Sequence, residues 1–177
     1  MRDVRFRTAL AVGLPLLLAD CVSKRVAEAE LLPHNPHPVL GDVVRFTLTY
    51  NTDAALGLSL GSWSRVGFTV LALCITGVLL GMLRKANPAE RFRAGALGCL
   101  LAGAMGNLLD RLQSSRGVVD FIDVGIGPTR FYTFNLADLA VCTGAILLMV
   151  ALNKRDDQAL AEPSGRTPNP LPGRTDE

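Results

Sequence analysis

The sequence predicts a mainly α membrane protein: four transmembrane helices, a small extracytoplasmic β-sheet, and both termini in the cytoplasm. Three observations carry this prediction. The 177 residues are 49% hydrophobic and 19% charged, less charge than a soluble domain of this size carries. The apolar residues come in bilayer-length blocks rather than at the period of an amphipathic helix or a half-buried strand. Finally, Asp20, Asp110 and Asp138 fall inside blocks otherwise suited to lipid, where a carboxylate is expensive and marks a functional site by default.

The first apolar segment runs from about Thr8 to beyond Val22, with Pro15 inside it. Its basic start and the following Cys21 faintly suggest a cleaved lipoprotein signal. Asp20 stands where such processing requires a small neutral residue, so a retained helix is expected. The second segment runs from about Trp63 to Leu83 and holds no acid. The third runs from about Ala94 to Leu112. Its Gly95, Gly98, Ala102, Gly103 and Gly106 allow close backbone approach, which predicts a central place in the bundle. Before it, Asn87-Pro88-Ala89-Glu90 has the pattern of a helix start. The fourth runs from about Phe134 to Leu152.

Arg2, Arg5, Arg7, Arg84, Lys85, Arg91, Arg93, Lys154 and Arg155 gather on one side of these segments. The excess over the opposite side is modest. It sharpens if Arg111 and Lys24 are engaged in the bundle, and it assigns both termini to the cytoplasm. The membrane domain is expected over residues 1–155, with an extracytoplasmic β segment at about 27–62. There Val44, Phe46, Leu48 and Tyr50 alternate with polar residues as in a half-buried strand. Leu58 and Leu60 resume the alternation after an Asn51-Thr52-Asp53 turn. Trp63, Phe131 and Tyr132 suit an interfacial aromatic belt. Residues 156–177, rich in Pro and charge, are expected to be a disordered cytoplasmic tail.

Composition also excludes some functions. A net charge of +2 and no basic stripe give nucleic acid no footprint. Cys21, Cys74, Cys99 and Cys142 lie in or beside apolar blocks without metal or redox spacing, which suggests inert buried thiols. His34 and His37, the only histidines, share a Pro-rich loop and leave no Ser-His-Asp set and no zinc motif.

The acids converge instead. At 1.5 Å per helical residue, Asp20 lies about 18 Å into its segment, Asp110 about 24 Å along the third, and Asp138 about 6 Å from the outer start of the fourth. All three therefore share the outer half of the bilayer. Asn107 and Asp110 share a helix face, as do Asn135 and Asp138. Asp20 can pair with Lys24, and Asp110 with Arg111, and such pairs serve equally well to brace the bundle. Asp138 has no neighbouring cation, which favours a chemical role. Asp120, in the short apolar run Val118 to Ile122, can dip back into the interface as its partner, with Asp123 the rival for that place. Two carboxylates in one dry pocket share a proton, the machinery of an aspartic protease.

Five motifs resemble the lipoprotein signal peptidases (signal peptidase II). They are Asp20 with Ser23-Lys24, Asn51-Thr52-Asp53-Ala54-Ala55-Leu56-Gly57, Gly106-Asn107-Leu108-Leu109-Asp110-Arg111, Val118-Val119-Asp120-Phe121, and Phe134-Asn135-Leu136-Ala137-Asp138. Each is weak alone, but their order over residues 10 to 152 is specific. The resemblance implies a membrane aspartic endopeptidase that cuts diacylglyceryl-modified prolipoproteins before the lipidated cysteine, in a bacterial inner membrane, as a monomer without cofactor or metal. It implies Asp120 and Asp138 as the dyad, with Asn51, Asn107, Asp110, Arg111 and Asn135 lining or bracing the site and Asp20 and Lys24 supporting it. Asp53 and Leu56 depart from the family's usual Gly and Phe. The rival readings are a small proton-coupled transporter, which would show internal repeats, and a non-enzymatic scaffold.

Overall fold

The computed structural model describes residues 3–52 and 61–161. Asp53, Leu56, Leu58 and Leu60 lie outside the described residues, as does the tail from residue 162 onward. Four helices are long and apolar enough to cross a membrane: α1 (Asp3–Glu30), α2 (Ser64–Lys85), α3 (Arg91–Gln113) and α4 (Leu136–Ala161). Between them lie β1 (His37–Leu40), β2 (Val44–Asn51), β3 (Val118–Ile126) and β4 (Thr129–Arg130).

Helix α3 is the hub, packing against α1, α4 and α2. Its small residues explain this. A Cβ on Gly98 would collide with the Ala9 backbone, and one on Gly103 with the Ala137 carbonyl. A Cβ on Gly13 of α1 would sit 2.8 Å from the Gly98 carbonyl oxygen. Backbones this close gain dispersion contacts along their whole length, which matters where water supplies no hydrophobic drive between helices. Ala9, Ala94, Leu97, Leu100, Leu79 and Leu83 fill the core around this axis. At the end remote from the sheet, Arg5 donates to the Ala86 carbonyl at 2.6 Å and ties α1 to the α2–α3 connection.

Several boundaries differ from the sequence reading. Helix α1 extends through Glu30, into the residues assigned to the β segment, because no Gly or Pro stops it before Pro33. Helix α3 starts at Arg91 rather than at Pro88. The Asn87 N–H does meet Glu90 Oε2 at 3.1 Å, but Asn87 Oδ1 accepts from Ala89 at 3.0 Å and closes a separate turn ahead of the helix. Helix α4 continues to Ala161, past the point where the tail was expected to begin, since nothing before Pro163 breaks it. Cys99 is buried and Cys21 partly so, but Cys74 and Cys142 are exposed.

The sheet is larger than expected and draws on two loops. Its order is β1-β2-β3-β4, antiparallel throughout. The run holding Asp120 does not dip back towards the membrane. It is β3, paired with β2 in a register that sets Thr49 opposite Asp120 and Asn51 opposite Val118. An apolar run beside an exposed strand edge gains a full ladder of hydrogen bonds by pairing, which an unpaired re-entrant segment would forgo. The register shifts between Phe46 and Thr49, a bulge that places Thr47 and Leu48 opposite Phe121, next to Asp120. Gly117, at φ +100°, leads into β3 with its Cα against the Asn51 backbone, where no side chain would fit.

Replacing Gly98 by Val should cost about 1–3 kcal/mol through overpacking, read as a lower melting temperature of the detergent-solubilised protein. Gly77→Ala in α2, where a Cβ meets nothing within 4 Å, should leave melting unchanged or raise it.

Candidate active site

Helix α4 begins with a reciprocal cap. Asn135 Oδ1 accepts the Asp138 N–H at 3.0 Å, and Asp138 Oδ2 accepts the Asn135 N–H at 3.2 Å. This capping box fixes the Asp138 carboxylate at the positive end of the helix dipole. Its other oxygen, Oδ1, accepts from Asn107 Nδ2 of α3 at 2.8 Å.

Asp120 reaches the same place from the sheet. Side chains on a strand alternate between faces, so Asp120 shares its face with Thr49 and Asn51 of β2. Asn51 hydrogen-bonds the Asp120 carboxylate. Asn135, fully buried, donates through Nδ2 to Asp120 Oδ1 at 2.6 Å and to Asn107 Oδ1 at 3.1 Å. The two carboxyls are thus joined by a ladder of amides running from Asp120 through Asn135 and Asn107 to Asp138. Burial, and then the negative charge of Asp138, push the Asp120 carboxyl up from the ordinary 3.8 to about 7. The hydrogen bonds from Asn135 and Asn51 and the charge of Lys24 oppose that rise without cancelling it.

Behind the ladder stands one cation. Lys24 Nζ lies 2.8 Å from Asp20 Oδ2, 2.9 Å from Asp110 Oδ2 and 3.0 Å from Asn107 Oδ1. The two acids it pairs with hold the backbone beside each member of the pair. Asp110 Oδ2 accepts the Val119 N–H at 3.2 Å, one residue before Asp120. Asp20 Oδ1 accepts the Ala137 N–H at 2.8 Å, one residue before Asp138. Gly106 leaves room for Asp20, since a Cβ there would strike that carboxylate.

The two acids open onto a groove of about 700 Å³. Phe68, Leu71 and Ile75 of α2 and Val141 of α4 form its apolar walls, with Gly103 and Ala104 of α3 between them. Phe131, Tyr132 and Arg111 also line it. Asp120 and Asp138 are the first two acids in the electrostatic surroundings of Arg111, which also donates to the Asn107 carbonyl at 3.1 Å.

Asp20, Lys24, Asn51, Asn107, Asp110, Arg111, Asp120, Asn135 and Asp138, all singled out in the sequence, therefore meet in one cluster. One pairing differs from expectation, one rival falls away, and one wall of the site was missed. Lys24, which was not expected there, pairs with Asp110, while Arg111 lines the groove and lies within the field of Asp120, Asp138 and Asp110. Asp123 takes no place beside Asp138. It lies on the opposite face of β3, bonded to Thr47 Oγ1 at 3.0 Å and to Arg130 Nε at 2.8 Å. The groove wall on α2 escaped the sequence reading because an apolar residue facing a groove and one facing lipid look alike.

A four-helix membrane protein with two carboxyls converging on an apolar groove belongs to the class of intramembrane hydrolases of the aspartic type. The comparisons narrow that class. The profile of the family described as Signal peptidase (SPase) II matches residues 12–154. The chain is 40% identical over 156 residues to the lipoprotein signal peptidase of Mycobacterium avium, covering 82% of this chain and 79% of that one. It is 38% identical over 151 residues to that of Streptomyces coelicolor, covering 82% and 70%. A bacterial membrane enzyme solved in meso at 2.3 Å superposes with a TM-score of 0.76 at 28% identity, over 85% of this chain and 90% of the other. This chain belongs to the signal peptidase II family, and it is a membrane peptidase.

Lys24→Met should leave two buried carboxylates without their cation, a loss of about 3–5 kcal/mol. Adding Asp110→Asn to Lys24→Met should recover part of it. Thermal melting of the three proteins in detergent checks both.

Proposed function

We propose that this chain removes the signal peptide from diacylglyceryl-modified prolipoproteins, cutting before the lipidated cysteine with Asp120 and Asp138 as the catalytic pair. The observation that carries the reading is the meeting of a carboxyl that titrates near neutrality, Asp120, with a second carboxyl at a helix N-terminus, both open to one apolar groove. A protein that only scaffolds has no use for a carboxyl held near neutrality beside a second one, while Lys24 pairs with the acids behind them.

The chemistry divides between the two. Asp138, its negative charge favoured by the start of α4, takes a proton from the attacking water. Asp120 gives its proton to the scissile carbonyl oxygen as the tetrahedral diol forms. On collapse, Asp138 passes its proton to the leaving nitrogen and Asp120 recovers its own from the diol, so the enzyme returns to its starting state. The apolar walls on α2 and α4 suit a signal helix lying at membrane depth, and burial of the acyl chains away from water contributes roughly 0.8 kcal/mol per CH₂.

In this reading the pair lies near the extracytoplasmic face of a bacterial inner membrane, both termini are cytoplasmic and the enzyme works as a monomer. The charge distribution supports the orientation. On the sheet side, Lys24 is held within the bundle between Asp20 and Asp110 and so leaves the count of loop cations. The basic residues near the opposite helix ends, including Arg84, Lys85, Arg91 and Arg93, then dominate the positive-inside balance.

Asp120→Asn and Asp138→Asn should each lower cleavage of a purified diacylated prolipoprotein by roughly a thousandfold or more, while both proteins still accumulate in the membrane. Normal processing by either would contradict the assignment. Because Asp120 must enter the reaction protonated, kcat/KM should fall about tenfold per unit as pH rises above about 7. The same raised pKa means the folded protein binds this proton more tightly than the unfolded chain does, so stability falls as pH rises from 3.8 to about 7. Asp120→Asn should therefore melt higher than wild type at pH 8, and the gap should shrink at pH 4.

A further inference from the structure

Asp123, buried, and Arg130, partly buried, form an ion pair that the catalytic cluster does not use. Their side chains are 10% and 17% exposed. Arg130 makes three bonds at once: Nε to Asp123 Oδ1 at 2.8 Å, Nη2 to the Asp123 carbonyl at 3.0 Å, and Nη1 to the Asp42 carbonyl at 2.6 Å. Asp42 Oδ2 in turn accepts the Gly127 N–H at 2.9 Å. One guanidinium thus clamps β4 to β3 and to the β1–β2 turn. A planar fork suits this, since it offers donors in fixed directions to three acceptors.

What the clamp holds follows directly in the chain. Phe131 and Tyr132 come next after Arg130 and line the groove, 60% and 59% exposed. The Phe131 N–H bonds the Val124 carbonyl at 2.8 Å, and Phe134 pairs with Ile122 on β3. The rings of Phe131 and Tyr132 meet edge to face at 6.3 Å, and those of Phe131 and Phe134 at 6.1 Å. Four residues between a clamped strand and the capped start of α4 therefore carry two large aromatic side chains into the open, beside the acid pair.

Their place in the chain says what they meet. The α2 and α4 walls run along the membrane-spanning helices and match an apolar signal helix. Phe131 and Tyr132 lie before α4 begins, beyond the acid pair, where the residue that follows the cut must emerge. That residue carries the lipid. We propose that the Asp123–Arg130 pair positions Phe131 and Tyr132 as a lip that receives the acyl chains of the lipidated cysteine. Arg130 and Asp123 are positioning residues, and Phe131 and Tyr132 set how strongly binding depends on the lipid. The proposal rests on the lipoprotein-processing reading given above.

The test compares two synthetic prolipoprotein peptides, one with short and one with long acyl chains on the cysteine, and full-length enzyme in lipid nanodiscs. For wild type, KM should be lower for the long-chain substrate. Phe131→Ala, an exposed change that leaves the ion pair intact, should raise KM for that substrate about five- to tenfold, the scale of one lost aromatic contact. It should flatten the chain-length dependence and keep kcat within about twofold. Arg130→Gln should do the same, Arg130→Lys should fall between, and Arg130→Gln should add nothing in the Phe131→Ala background. An equal rise in KM for both substrates, a fall in kcat at unchanged KM, or additive effects would each overturn the proposal. Failure of the catalytic reading appears separately, as cleavage by Asp138→Asn.

Discussion

The site depends on the contact of Lys24 with Asp20 and Asp110. A lone ammonium or carboxylate at this depth is too costly to keep, and the three groups together leave one net negative charge shared over short bonds. The arrangement does more than pair charges. Each acid spends an oxygen on a backbone N–H next to a member of the pair, Asp110 at Val119 and Asp20 at Ala137. A strand from the sheet and a helix from the bundle are thereby referred to one lysine on α1. The close α1–α3 packing through Gly13 and Gly98 keeps that lysine in place.

The front layer is built on a different principle. The asparagines Asn51, Asn107 and Asn135 carry no charge, yet each bonds a carboxyl of the pair. Neutral amides orient the acids without cancelling the burial and the repulsion from Asp138 that together lift Asp120 towards neutrality. A lysine in the place of Asn107 would quench that rise. The division is physical: charges stand behind, where rigidity is needed, and amides stand in front, where a shared proton is needed. Such a site holds less stability than its contacts could supply, the usual condition of a functional constellation.

Much of this was legible in the chain. Block hydropathy gave the four helices, and counting residues along them brought Asp20, Asp110 and Asp138 to one depth before any coordinates. Small residues on α3 announced its central position. Other features were not legible, for reasons that lie in long-range pairing. Lys24 sits next to Asp20 in helical terms, but its approach to Asp110 depends on how α1 and α3 rotate against each other. Arg111 adjoins Asp110 in sequence, and successive helical residues point to different faces, so adjacency did not point to Lys24. The second half of the sheet was hidden because Val118 to Ile122 reads equally as a strand or as an interfacial run until β2 offers it an edge. Choosing Asp120 over Asp123 from the residues alone required knowing which face of that strand meets α4.

The central claim is that Asp120 and Asp138 form one proton-sharing unit, and infrared difference spectroscopy of the protein in lipid tests it most directly. A protonated carboxyl band should disappear as pH is raised through about 7, and it should be missing from Asp120→Asn. In Asp138→Asn its midpoint should move down, because the charge that raises it has gone. A band that titrates in the ordinary carboxylate range in wild type, or one unmoved by Asp138→Asn, would contradict the account.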